Sequence, residues 1–213
     1  GFMTDNSEGN ITSQLAYGNK QWGLAAGYRY GQCGAKFRTG TEYASSGKWG
    51  TPCTVTNKNG EDVRTNADSH SWSLNAFWRP EDSGWMPSVS AGVGASYLNG
   101  NSAWESNTSK RAMASWMVGL TWNDVFMEGN ALGAAVGQPQ FVTEVDNNGG
   151  DDFVADGNYA MELWYKFQVT DNIAVTPAVY WLSRPYGDDT QNFKGDDKSL
   201  GVFGGLIQTT FKF

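Results

Sequence analysis

The sequence predicts an all-β chain, an antiparallel transmembrane β-barrel with about nine strands in view. Three observations predict it: stretches that alternate every second residue, connections that alternate short and long, and charges kept to one side of the alternation. The stretches are close to the roughly 9–11 residues with which a tilted strand crosses a bilayer. No run approaches the ~18 consecutive apolar residues of a spanning helix, and the mean hydropathy is −0.49. A helical membrane protein is excluded.

Composition agrees. The chain holds 10 Trp, 9 Tyr, 11 Phe and 27 Gly, with only 17% charged residues. Disordered chains lack aromatics, and soluble domains carry about 25% charge. Many aromatics and glycines with few charges suit a β protein whose outer surface does not face water. A net charge of −7 argues against a nucleic-acid partner, which needs a basic face. The opening Gly-Phe-Met-Thr-Asp-Asn lacks the basic start and apolar run of a secretory leader. Either a leader has been removed or the chain is an internal piece.

The predicted strands are 11–18, 21–31, 70–79, 87–98, 112–122, 131–138, 158–169, 173–182 and 199–213. In 21–31, Trp22, Leu24, Ala26, Tyr28 and Tyr30 alternate with Gln21, Gly23, Ala25, Gly27 and Arg29. In 70–79, Trp72, Leu74, Ala76 and Trp78 alternate with Ser71, Ser73, Asn75, Phe77 and Arg79. In 87–98, Val89, Ala91, Val93, Ala95 and Tyr97 oppose Ser88, Ser90, Gly92, Gly94 and Ser96. In 158–169, Tyr159, Met161, Leu163, Tyr165, Phe167 and Val169 oppose Asn158, Ala160, Glu162, Trp164, Lys166 and Gln168. The Gly and β-branched content argues against helix throughout.

A soluble β-sandwich also alternates, its apolar face turned to a shared core. Two patterns favour the barrel. Aromatics crowd the ends of the apolar face (Trp22 and Tyr30, Trp72 and Trp78, Tyr159 and Phe167, Phe203 and Phe211), as interfacial girdles do. The connections 19–20, 80–86, 123–130 and 170–172 are short, whereas 32–69, 99–111, 139–157 and 183–198 are long. Outer-membrane barrels have tight periplasmic turns and longer external loops. A final strand ending at the periplasm puts every long connection outside. Nine is odd, single-chain bacterial barrels are even-stranded, and an open edge in lipid is not tolerated. The expectation is therefore that the 213 residues are the C-terminal portion of a larger even-stranded barrel.

Charge placement points to a wet side. Among the acidic residues only Glu162 falls inside a predicted strand, beside the basic Arg29, Arg79, Lys166 and Lys212. All five share the parity of the small or polar face, where chance gives about one in 32 under the period-two rule. These five are the candidate pore-lining charges, since rings of charge in a water-filled lumen tune which ions enter. The long connections carry many carboxylates. They read as solvated surface or as a divalent-cation site, for which Asp151, Asp152, Asp188 and Asp189 are the candidates. No connection has the spaced pattern of a dedicated calcium loop.

Cys33 and Cys53 lie in one polar connection and read as a loop-closing disulfide of an oxidising compartment, the alternative being two buried thiols. The single His70 sits between Ser69 and Ser71. A hydrolase needs a nucleophile and base in contact, and an interfacial polar residue is the simpler reading. No cofactor motif or phosphate loop is present.

The segment Asn158-Tyr-Ala-Met-Glu-Leu-Trp-Tyr-Lys-Phe-Gln-Val-Thr-Asp-Asn-Ile-Ala-Val-Thr-Pro-Ala-Val-Tyr-Trp-Leu-Ser-Arg-Pro185 resembles the penultimate hairpin of cyanobacterial outer-membrane porins, relatives of the carbohydrate-selective OprB-like porins. The end Gln208-Thr-Thr-Phe-Lys-Phe213 resembles their closing strand. The resemblance covers mainly the last third of the chain. It implies passive passage of inorganic ions and small solutes, a homotrimer in outer-membrane lipid, and an N-terminal wall-binding domain and coiled coil, neither of which is in this sequence. The expected function is a diffusion channel. The alternative is a plugged barrel that binds a partner through its long external loops.

Overall fold

The computed structural model describes residues 9–33, 40–45, 53–56, 59–64, 67–81, 84–99, 109–146, 153–189 and 200–212. Eleven strands occur among them: β1 (Asn10–Gly18), β2 (Trp22–Gly31), β3 (Thr54–Thr56), β4 (Asp62–Arg64), β5 (Asp68–Trp78), β6 (Ser88–Asn99), β7 (Ser109–Asn123), β8 (Ala131–Asp146), β9 (Tyr159–Thr170), β10 (Ile173–Ser183) and β11 (Gly201–Phe211). Nine form one sheet in the order β1-β2-β5-β6-β7-β8-β9-β10-β11, and every pair is antiparallel. β3 and β4 form a separate small hairpin inside the β2–β5 connection, which also holds the single-turn helix α1 (Glu42–Ser45). The helices described are α1 and a 3-10 turn at Gly187–Asp189. None is long and apolar enough to cross a membrane.

All nine predicted strands are present, and away from the irregularities in the β7–β8 and β9–β10 pairings the register carries their faces across the sheet. Leu15 opposes Ala26, Ala26 opposes Leu74, Leu74 opposes Val93 and Val93 opposes Trp116. The same face continues through Leu120 and Ala134 to Leu163, Val179 and Gly205. A one-residue slip anywhere would turn a whole strand over. This face is apolar and open: Leu15, Leu74, Val93, Leu163, Phe203 and Ile207 are all exposed, Leu15 at 77% and Ile207 at 75%. Exposed apolar area on that scale does not face water in a soluble monomer. The reading of a sandwich core is overturned by it.

Three sequence expectations need correction. β8 runs to Asp146 instead of ending at 138, because its pairing with β7 passes irregularities between Ala114 and Trp116 and again near Ala112. Pro139 has no N–H to give the ladder, so a bulge is how the strand gets past it. Strands also extend further at the long-connection end, so Asp68, Glu144 and Asp146 join Glu162 within the sheet, and Asp62 lies in the small hairpin. Finally, β7 begins at Ser109, which makes the connection between β6 and β7 no longer than the one between β5 and β6. The other long and short connections alternate as expected.

Turn chemistry is local at the short end. Asn19 Oδ1 accepts hydrogen bonds from the backbone N–H of Gln21 (2.8 Å) and Trp22 (3.0 Å), closing the β1–β2 turn. Between β7 and β8, Asp124 Oδ1 accepts from the N–H of Gly129, whose φ of 83° suits glycine. The core sits at the opposite end, where Ala44 of α1 packs with Leu98, Met113, Val142 and Val145.

Candidate functional site

The face opposite the apolar one is built from small and polar side chains. Its rows run through Gln14, Gly27, Ser73, Gly94 and Ser115, and through Ala25, Asn75, Gly92 and Met117. Arg29 lies on this face between Thr12 and Ser71, half-buried. Glu162 lies on it between Ala135 and Tyr180, exposed, and Lys166 lies opposite Ala131, half-buried.

Arg79 and Lys212 fall outside the strands, a correction to their predicted positions. β5 ends at Trp78, and the Arg79 N–H donates to Gln21 O. β11 ends at Phe211, and the Lys212 N–H donates to Asn172 O at 2.9 Å while Asn172 Nδ2 donates back to Lys212 O at 2.8 Å. The five charges therefore do not form one ring. Arg29 is at the long-connection end, Glu162 in the long-connection half of β9, and Lys166, Arg79 and Lys212 toward the short-turn end. Glu162 and Lys166 are about 14 Å apart along one strand, at ~3.4 Å per residue.

Sequence parity understated the bulk on this face. Trp164 lies opposite Gly133, and a methyl group on Gly133 would fall inside its indole ring. Tyr180 covers Gly204 in the same way, and Phe77 covers Gly23. Each ring lies against a neighbouring backbone, in space that only glycine leaves open. Leu182, Val202 and Leu206 add apolar surface on β10 and β11. Met117, Ala135, Ala160, Glu162, Tyr180 and Leu206 line a hollow of about 410 Å³.

Cys33 and Cys53 are joined in a disulfide, Cα to Cα 4.8 Å. Of the metal candidates, Asp151 and Asp152 lie outside the described residues. The Asp188 N–H donates to Asp156 Oδ1 at 2.9 Å, and Asp189 is in the 3-10 turn. Among the described residues no three His, Cys, Asp or Glu side chains converge on one point. His70 is on the apolar face, sharing a 2.7 Å hydrogen bond with Tyr28. Its serine neighbours face the other way and are engaged there, Ser69 with Gly31 O and Ser71 with Ser96. No nucleophile–base pair forms at His70.

A sheet with an open apolar face, a polar opposite face and in-register antiparallel neighbours is the wall of an outer-membrane barrel. Residues 5–213 match the carbohydrate-selective porin, OprB family. The chain belongs to that family. An uncharacterised protein of the cyanobacterium Nostoc sp. is 30% identical over 190 residues, covering 89% of this chain and 29% of its own length. One of Synechocystis sp. is 30% identical over 132 residues, 61% of this chain and 21% of its own. OmpT, an outer membrane protein of Vibrio cholerae, shares the fold with a TM-score of 0.52 at 12% identity, over 100% of this chain and 58% of its own. Pseudomonas putida OprB does so with a TM-score of 0.51 at 14% identity, over 94% and 47%. The chain thus spans under a third of those curated relatives and about half of those structures. The match places the chain among the carbohydrate-selective porins of the OprB family.

Proposed function

We propose that the protein forms a water-filled channel for passive diffusion of inorganic ions and small hydrophilic solutes across the outer membrane. Its polar face, with Arg29, Arg79, Glu162, Lys166 and Lys212, lines the lumen, and its apolar face meets lipid. The observation that carries this is the separation of the two faces. Between the aromatic belts every open large aliphatic on β9 (Met161, Leu163) shares one face, and both charges of that strand share the other. A charge on the lipid side at mid-membrane costs about 2–4 kcal/mol, which no lumen position pays.

Three finer features belong to the proposal. The short turns and the C-terminus face the periplasm, as short turns do in such barrels. The assembly is a homotrimer; a trimer form has been solved for OmpT of Vibrio cholerae. Carbohydrates are among the solutes, in keeping with the family's description.

One feature favours a second reading, a plugged barrel that binds partners at the surface: α1 folds onto the polar face at the long-connection end. Planar-bilayer recording of the reconstituted protein separates the two. Steady conductance steps are expected. A correctly folded protein that passes no current would overturn the channel and leave the binder.

A further inference from the structure

Residues 40–45 of the β2–β5 connection do not stand out from the sheet. β2 and β5 are neighbours in the sheet, so the connection begins and ends on adjacent strands. Yet Ala44 is buried against Leu98 of β6, Met113 of β7 and Val142 and Val145 of β8. Met113 opposes both Ser96 and Val142, which puts this contact on the polar face. The Thr41 N–H donates to Gln140 O of β8 at 2.9 Å, and the Glu42 N–H to Pro185 O beyond β10 at 3.2 Å. β8 is three strands from β5, about 14 Å along the wall at ~4.8 Å per strand, and β10 is two further.

One side chain gathers these contacts. Asp156 is fully buried. Its Oδ2 accepts from Thr41 Oγ1 (2.8 Å) and from the Val142 N–H (2.6 Å), and its Oδ1 accepts from the Asp188 N–H (2.9 Å). A buried carboxylate with that many donors is held in one geometry, because releasing any of them leaves a buried polar group unsatisfied. The segment carrying Asp156 is itself fastened. The Arg184 guanidinium donates to Ala155 O, to Gly157 O at 3.0 Å and to Gly187 O at 3.3 Å, bracketing Asp156 on both sides. Arg184 holds a left-handed φ of 45° to do so, a conformation that non-glycine residues adopt only when neighbours impose it. Gly187, at φ 64°, lies so close to Asp156 that a Cβ would overlap its carboxylate.

We propose that Asp156 is the positioning residue that moors residues 40–45 across the long-connection end of the lumen, so that this strap sets the effective width of the pore. Asp156 does not touch the solute; it acts through Thr41. The width claim rests on the channel reading above, whereas the mooring does not.

Two readouts keep them apart. In an Ala44→Cys background, position 44 is shielded from maleimide while the strap is moored, and Cys33 and Cys53 are already paired. Adding Asp156→Ala exposes it to labelling in folded, heat-modifiable barrel, and the milder Thr41→Val, which deletes one donor, gives partial labelling. In bilayers, Asp156→Ala shifts the conductance to larger steps with loss of a single uniform amplitude, and Thr41→Val falls between. Unchanged shielding in folded Asp156→Ala protein overturns the mooring. Labelling together with unchanged steps overturns the width claim alone. If Asp156→Ala does not fold, Thr41→Val decides by the same two readouts. Absence of current from the parent protein overturns the channel reading and leaves the labelling result standing.

Discussion

Gly133 and Trp164 face each other across the β8–β9 rung, and the indole occupies the space where any other residue would carry a Cβ. Glycine is thus selected at 133 by an aromatic neighbour, not by a turn. Gly133→Ala must lever the ring off the wall into the lumen or strain the rung, an overpacking that costs about 1–3 kcal/mol. The expected result is a smaller conductance step, restored when Trp164→Ala is added. A step that Gly133→Ala leaves untouched would refute the packing of the indole against Gly133. Tyr180 over Gly204 and Phe77 over Gly23 repeat the device. None of the three was legible in the sequence, because glycine and aromatic lie on different strands and only the register brings them together.

At the scale of one strand, period two makes a sharper test. Leu163 and Ala160 both lie in β9, one on the exposed apolar face and one opposite Gly137 and Leu182 on the polar face. Leu163→Arg is expected to destabilise the folded barrel by about 2–4 kcal/mol in bilayers, and Ala160→Arg by far less. Denaturant titration of both variants in the same lipid measures the difference; equal costs would mean the faces are misassigned. The alternation that fixes these faces is legible in the residues from Tyr159 to Val169 themselves. So is every long strand, since eight or more alternating residues between turn signals leave no competing period. What sequence could not show has physical causes. β8 continues past Pro139 because a bulge re-pairs it with β7, and a period read along one strand is broken by the extra residue. β3 and β4 are three residues each, too short for alternation to register. Asp156 reads as one more acid in a polar connection, and its burial depends on Thr41 and Val142, distant partners that no local pattern announces.

For the whole molecule, the decisive quantity is the charge its water-facing surface shows to a passing ion. On the proposed lining, Arg29, Arg79, Lys166 and Lys212 are basic against the acidic Glu162, so these five by themselves favour anions. The long connections oppose it with exposed carboxylates such as Glu61. The two contributions separate by depth and by salt. A charge in a narrow, low-dielectric-walled lumen acts on every ion that passes, whereas one at the mouth is screened over about 10 Å at 0.1 M salt and about 3 Å at 1 M. Neutralising the four basic residues is therefore expected to move the reversal potential in a salt gradient toward cations, and Glu162→Gln to move it toward anions. Both shifts should shrink as total salt rises. Because Arg29 stands at the opposite end from Arg79 and Lys212, single neutralisations at the two ends should also differ in how strongly they rectify the current. A reversal potential unmoved after all five are neutralised would show that this face does not line the conducting path.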